Sequence, residues 1–130
     1  MEKKVMRFTL MAAAIGGFLA VAMGAFATHG LQNILDMKAL VWIETGVRYQ
    51  AWHSLALLAV AVLMAVRPAR PLSIAAGAFS LGMLMFSGSL YAMAFSDLRS
   101  FAMITPIGGG FFLVGWVCLG IYAWRLRRSD

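Results

Sequence analysis

Four long stretches of the chain are apolar almost without interruption, and the polar and charged residues collect in the gaps between them. The first stretch, residues 8–28, covers about 30 Å at about 1.5 Å per residue, which is the thickness of a bilayer's hydrocarbon core. The same pattern predicts further membrane-spanning helices over about 46–66, 72–95 and 102–124. Lys3, Lys4 and Arg7 precede the first span, and Ala25-Phe26-Ala27 near its end resembles a signal-peptidase site. A signal peptide's apolar region is usually about 7–15 residues, so this longer run reads as a retained anchor. Its Ala13, Gly17, Ala20, Gly24 and Thr28 recur at helical spacing, and this small face predicts close approach by a neighbouring helix.

Between the first two spans, residues 29–44 place Gln32, Asn33, Asp36 and Glu44 on one side of a helical projection. Leu31, Ile34, Leu35 and Trp42 fall on the other. That distribution predicts a short amphipathic helix lying in the interface, broken from the first span at Gly30. Arg67-Pro68-Ala69-Arg70-Pro71 makes a tight basic turn between spans two and three. Along span three, Ser73, Gly77, Ser80, Leu84, Ser87 and Tyr91 form a small and polar stripe suited to packing on other helices, with Met83, Phe86, Leu90 and Met93 opposite. Residues 96–100 read as a hairpin loop. Gly108-Gly109-Gly110, near the start of span four, weakens a helix by about 1 kcal/mol per residue relative to alanine, so the run predicts either a close packing surface or a partly unwound segment.

Composition agrees with this pattern: 62% of the 130 residues are hydrophobic and 12% charged, too apolar for a soluble domain of this size. The net charge of +6 does not point to nucleic acid, because the cations sit at span ends without interleaved aromatic residues. They read as topology signals. Lys3, Lys4, Arg7, Arg67, Arg70, Arg125, Arg127 and Arg128 fall at chain positions that an even number of crossings brings to one side, predicting both termini in the cytoplasm. The short loops predict a bacterial inner membrane, and a mitochondrial relative would look similar. Cys118, the single cysteine, reads as a buried, inert thiol.

Four motifs occur in order along the chain. They are Gly24-Ala25-Phe26-Ala27-Thr28-His29-Gly30-Leu31, Thr45-Gly46-Val47-Arg48-Tyr49-Gln50 with His53, Phe86-Ser87-Gly88-Ser89-Leu90-Tyr91, and Thr105-Pro106-Ile107-Gly108-Gly109 with Gly115-Trp116. Together they resemble the family called domain of unknown function 423, which includes relatives of transmembrane protein 256. The resemblance implies a small multi-helix integral membrane protein and no established reaction.

Candidate chemistry gathers at the entrance of span two, where Tyr49, Gln50 and His53 share a helix face with Gly46 and Leu57. An imidazole in lipid surroundings needs a hydrogen-bond partner. Ser87, Ser89 and Tyr91 are expected at comparable depth on span three, and His29 and Thr105 at the same end of the bundle. His53 is therefore expected to be neutral, buried against span three and bonded toward Ser87 or Tyr91. Two readings of this cluster stay open: hydrogen bonds that only hold helices together, or a polar pocket for a lipid headgroup or small solute. Glu44 and Arg48, one turn apart, are expected to form an interface ion pair worth about 0.3–0.5 kcal/mol. Two histidines without a carboxylate or cysteine make a poor metal or haem site, and no acid, histidine and serine fall in a hydrolytic arrangement. No catalytic residue, metal or cofactor is predicted.

The chain thus reads as a single all-α domain, a four-transmembrane-helix bundle in the lipid bilayer. Its expected role is that of a non-enzymatic helix-packing or assembly component. The alternative is a small transporter or channel acting as a homo-oligomer.

Overall fold

The computed structural model describes residues 2–128, and among these every regular element is a helix. Helix α1 spans Glu2–His29 and α2 spans Met37–Val66. Helix α3 (Arg70–Gly82) continues through a π-helical turn (Met83–Ser87) into α4 (Gly88–Ser96), so these three make one rod. A 3₁₀ turn (Arg99–Met103) then leads into α5 (Ile104–Arg128). The chain therefore has four rods long and apolar enough to cross a membrane.

The expected amphipathic helix over 29–44 is not present as a separate element. Residues 30–36 form turns, and Met37 already begins α2. The physical reason lies in Asp36, whose side chain accepts a 2.8 Å hydrogen bond from the Ala39 backbone N–H and so caps a helix starting at Met37. The polar residues beyond it become the first turns of a helix about 45 Å long, half as long again as the hydrocarbon core. Helix α2 ends where Pro68 follows Arg67, and α3 restarts with Pro71 in its first turn. At the other end of the third rod Asp97 adopts a left-handed conformation, φ 58°, and its N–H closes α4 onto the Met93 carbonyl at 2.8 Å.

Helix α1 packs along α2, α5 packs along α3 and the π-helical turn, and α2 joins the two pairs through its contacts with the third rod. Leu57, Val60, Leu72, Ala75 and Phe79 anchor the larger apolar core, and Ile43, Leu31 and Ala94 a smaller one toward the 30–36 turns. Tyr122 closes the far end by donating to the Arg67 carbonyl at 3.0 Å. Cys118 is buried and free.

Two expected packing stripes are met only in part. On α1 the buried residues are Thr9, Ala13, Gly16, Ala20 and Ala27. A side chain at Gly17 would meet nothing within 4 Å, whereas a Cβ at Gly16 would lie 2.4 Å from the Ser54 hydroxyl. On the third rod Ser73, Gly77 and Leu84 are exposed, while Leu90 and Met93, expected on the outward face, are buried. Ala13 and Ala20 of the expected α1 stripe are buried, while Gly17 and Thr28 fall outside the contact and Gly16 takes part in it instead. In the third rod the π-helical turn advances the phase between α3 and α4, so no single α-helical stripe runs its full length.

The glycine run of α5 stays helical, and its first residue provides a close packing contact. A Cβ on Gly108 would fall 2.4 Å from the Phe86 backbone nitrogen, so at this point the π-helical turn lies directly on α5.

Candidate functional site

The polar residues of α2 form a layer between the two apolar cores, because Gly46, Gln50, His53 and Ser54 all turn inward. Gln50 stands where three rods meet. Its side-chain amide donates to the Gly16 carbonyl of α1 at 2.8 Å, and its carbonyl oxygen accepts from the Tyr91 hydroxyl of α4 at 2.7 Å. One turn earlier, the Ser87 hydroxyl donates to the Gly46 carbonyl at 2.7 Å, and the absence of a side chain at Gly46 admits the Tyr91 ring. Ser89 and Thr105 share a hydrogen bond that ties α4 to α5. Ser54 bonds back to the Gln50 carbonyl of its own helix at 2.7 Å.

His53 is only 3% exposed, but it does not bond to Ser87 or Tyr91 as the sequence led us to expect. Its Nδ1 lies 2.7 Å from the Tyr49 carbonyl, and its Nε2 accepts from the Trp116 indole N–H at 3.1 Å. A carbonyl can only accept and an indole N–H can only donate. Those partners therefore fix the neutral ring with its proton on Nδ1, since an imidazolium would oppose Trp116 donor to donor. The ring stacks on Phe112, with centroids 3.6 Å apart, and Phe79 approaches at 5.4 Å. The neighbours that claim His53 are thus aromatic side chains of α3 and α5, and the serines serve α2 backbone and α5 instead. Tyr49 is half-buried beside it, 4.7 Å from the Phe86 ring.

The structure brings Gln50 with Tyr91, and Ser89 with Thr105, into direct contact, and places Ser87 on the backbone of α2. It does not bring His29 to them: that residue ends α1 and is exposed. Glu44 and Arg48 are both exposed at the rim of a small cavity, and the expected ion pair between them is not formed among the described residues. Holding two long exposed side chains in one geometry costs entropy that a solvated pair hardly recovers. Sequence reasoning missed Gly16 and Trp116 as partners. Trp116 lay within a recognised motif, and Gly16 lay one residue from the glycine chosen on spacing.

Replacing His53 by alanine removes the stacked ring and leaves the Trp116 N–H without an acceptor in apolar surroundings. His53→Ala is expected to lower stability by about 1–3 kcal/mol in thermal or denaturant unfolding in detergent. Stability equal to the wild type would show that neither contact contributes.

Among the described residues every buried side-chain nitrogen and oxygen has a hydrogen-bond partner, and no group of three or more His, Cys, Asp or Glu side chains could hold a metal. A lateral cleft of about 820 Å³ opens between α2 and α5, lined by Tyr49, Trp52, His53, Phe86, Phe112 and Trp116 among others, but the one imidazole in it is committed on both nitrogens.

Comparison with known proteins places this chain in a group. The model of a protein family of unknown function, DUF423, matches residues 23–109. A UPF0382 membrane protein of Haemophilus influenzae is 50% identical over 88% of this chain and 91% of its own length. The UPF0382 inner membrane protein YgdD of Escherichia coli K12 is 45% identical over 95% and 94%, and a UPF0382 membrane protein of Staphylococcus saprophyticus is 36% identical over 93% and 100%. No solved structure matches the chain significantly. The family match covers the second and third rods in full, the end of the first and the start of the fourth, and all the polar layer except Gly16 and Trp116. The chain belongs to the DUF423 family of unknown function, as an all-α integral membrane protein with four membrane-spanning helices.

Proposed function

We propose that the protein is a non-enzymatic structural component of the bacterial inner membrane that assembles with other membrane helices, with both termini in the cytoplasm. The observation that carries this reading is the closure of the polar layer, in which each buried polar side chain is already bonded within the protein. Gln50, Ser87, Ser89 and Tyr91 spend their hydrogen bonds joining one helix to another, which supports a packing role. Helices α1 and α5 bury little of their surface and carry exposed apolar side chains such as Phe18, Val21, Leu113 and Trp124, which suits further helix packing. The relative from Escherichia coli is named an inner membrane protein, which supports the compartment.

Flux and cross-linking test the role. Proteoliposomes are expected to leak protons, potassium and small solutes no faster than protein-free vesicles, while cross-linkers placed at Phe18 and Leu113 in native membranes trap discrete larger species. Flux above the protein-free control would overturn the reading in favour of an oligomeric transporter or channel. The orientation rests on the arginines at 67, 70, 125, 127 and 128 together with Lys3, Lys4 and Arg7. A reporter active only in the cytoplasm is expected to work when fused after residue 128 or inserted at Pro68, and to be silent when inserted at Asn33. The opposite pattern would reverse the assigned orientation.

A further inference from the structure

A groove of about 550 Å³ runs along the seam between α1 and α2, walled by Leu10, Gly17 and Gly24 on one side and by Val47, Ala51 and Leu58 on the other. It exists because α1 presents small residues there, and nothing lies within 4 Å of where a Gly17 side chain would start. From Leu10 to Gly24 the groove follows about 21 Å of helix, more than half of the hydrocarbon's ~30 Å. At its upper end Gly24 and Val47 also line a second cavity of about 280 Å³, and around this one stand Thr28, Gln32, Glu44 and Arg48. Two shared residues thus join an apolar trough to a chamber lined by a hydroxyl, an amide, a carboxylate and a guanidinium.

The join lies at the membrane surface. Counting about 20 residues back from the end of α2 at Val66 puts the edge of the hydrocarbon near residues 46–47, so Glu44 and Arg48 straddle headgroup depth. Among the described residues neither makes an ion pair or a side-chain hydrogen bond. An opposite-charge pair left unbonded over an apolar groove is complementary to one chemistry in particular: an amphiphile whose head carries both a phosphate and an ammonium.

We propose that the α1–α2 seam binds one zwitterionic phospholipid of the phosphatidylethanolamine class. Arg48 holds the phosphate, Glu44 and Gln32 receive the ammonium, and one acyl chain lies in the groove over Gly17. A guanidinium is suited to a phosphate through paired N–H donors, and a carboxylate to a primary ammonium. An anionic head without the ammonium satisfies Arg48 but confronts Glu44 with a like charge, so the site discriminates against it. This site lies apart from the polar layer of α2, α4 and α5 and stands or falls independently of the non-enzymatic role.

The test uses the full chain in nanodiscs of equal parts phosphatidylethanolamine and phosphatidylglycerol, released into mild detergent for native mass spectrometry of retained lipid. The wild type is expected to keep one phosphatidylethanolamine per chain. Gly17→Leu fills the groove where there is open space, so it is expected to keep the wild-type melting temperature and lose the lipid. Arg48→Gln is expected to weaken retention about tenfold, the loss of one charge-assisted bond. Glu44→Gln is expected to erase the preference over phosphatidylglycerol. Ala14→Leu, on the same groove wall and exposed, repeats the blocking experiment should Gly17→Leu fold poorly. No retained lipid in the wild type, or retention undiminished in both blocking variants, overturns the proposal. A change of oligomeric state in both blocking variants without loss of lipid also overturns it, by making the groove a contact with a second copy.

Discussion

Gly108→Ala will destabilise the bundle by about 3 kcal/mol, at the upper end of what overpacking costs. The added methyl would sit 2.4 Å from the Phe86 nitrogen and 2.8 Å from its Cα, atoms of the main chain that no rotamer change can move aside. Relief requires α5 to withdraw from the π-helical turn, and that loosens the neighbouring contacts in which Gly82 admits Phe112 and Gly115 admits Phe79. In lipid this matters more than in water, because helix association there rests on close van der Waals contact without a hydrophobic drive. Gly110→Ala is the control. Nothing lies within 4 Å of its added methyl, so the same chemical change two residues on should stabilise the helix by up to about 1 kcal/mol. Reversible unfolding of both variants in detergent checks the pair. Equal stabilities would mean that α5 does not rest on Phe86.

The second large effect is expected at Gln50. Gln50→Leu keeps much of the volume but removes both interhelical bonds and leaves the Tyr91 hydroxyl without its acceptor, at about 3 kcal/mol for the lost contacts and the orphaned donor together. Tyr91→Phe alone loses one bond and should cost about 1 kcal/mol. The double variant is the informative one. With the hydroxyl gone there is no orphan left to penalise, so Gln50→Leu with Tyr91→Phe should be no less stable than Gln50→Leu alone. Simple addition of the two single losses, measured in the same detergent, would show that the two side chains do not act as one unit.

Much of this fold was legible because bilayer thickness and backbone hydrogen bonding leave so few options. Runs such as 8–28 and 46–66 have one economical reading in a chain this apolar. The inward face of α2 was legible for a related reason, since Gln50 and His53 are too polar to face lipid. What could not be read was phase on rods where neither face is polar. Gly16 and Gly17 differ by one helical step, and nothing in an apolar sequence says which of them meets α2. The π-helical turn at Met83–Ser87 carries no composition signal, yet it decides that Leu90 and Met93 face inward. The partner of His53 was misjudged for a third reason. Ser87 and Ser89 were nearer in expected depth, but both are held by local or backbone acceptors, which left the ring to the indole of a helix far away in sequence.

The pairing of rods bears on how the chain enters its membrane. Helix α1 finds its main partner in α2, the next segment synthesised, and α3 finds its own in α5 once the short loop at 97–98 has turned the chain back. Two hairpins can therefore leave the insertion machinery each with its closest contacts already made, and neither has to wait in lipid for the other. What then joins them is the α2 seam, where Gln50 reads Tyr91 and Gly46 reads Ser87. The polar layer serves in this sense as the address by which the second hairpin finds the first. Two coexpressed halves divided at Pro68 and Ala69 are therefore expected to insert separately and to reassemble through this layer.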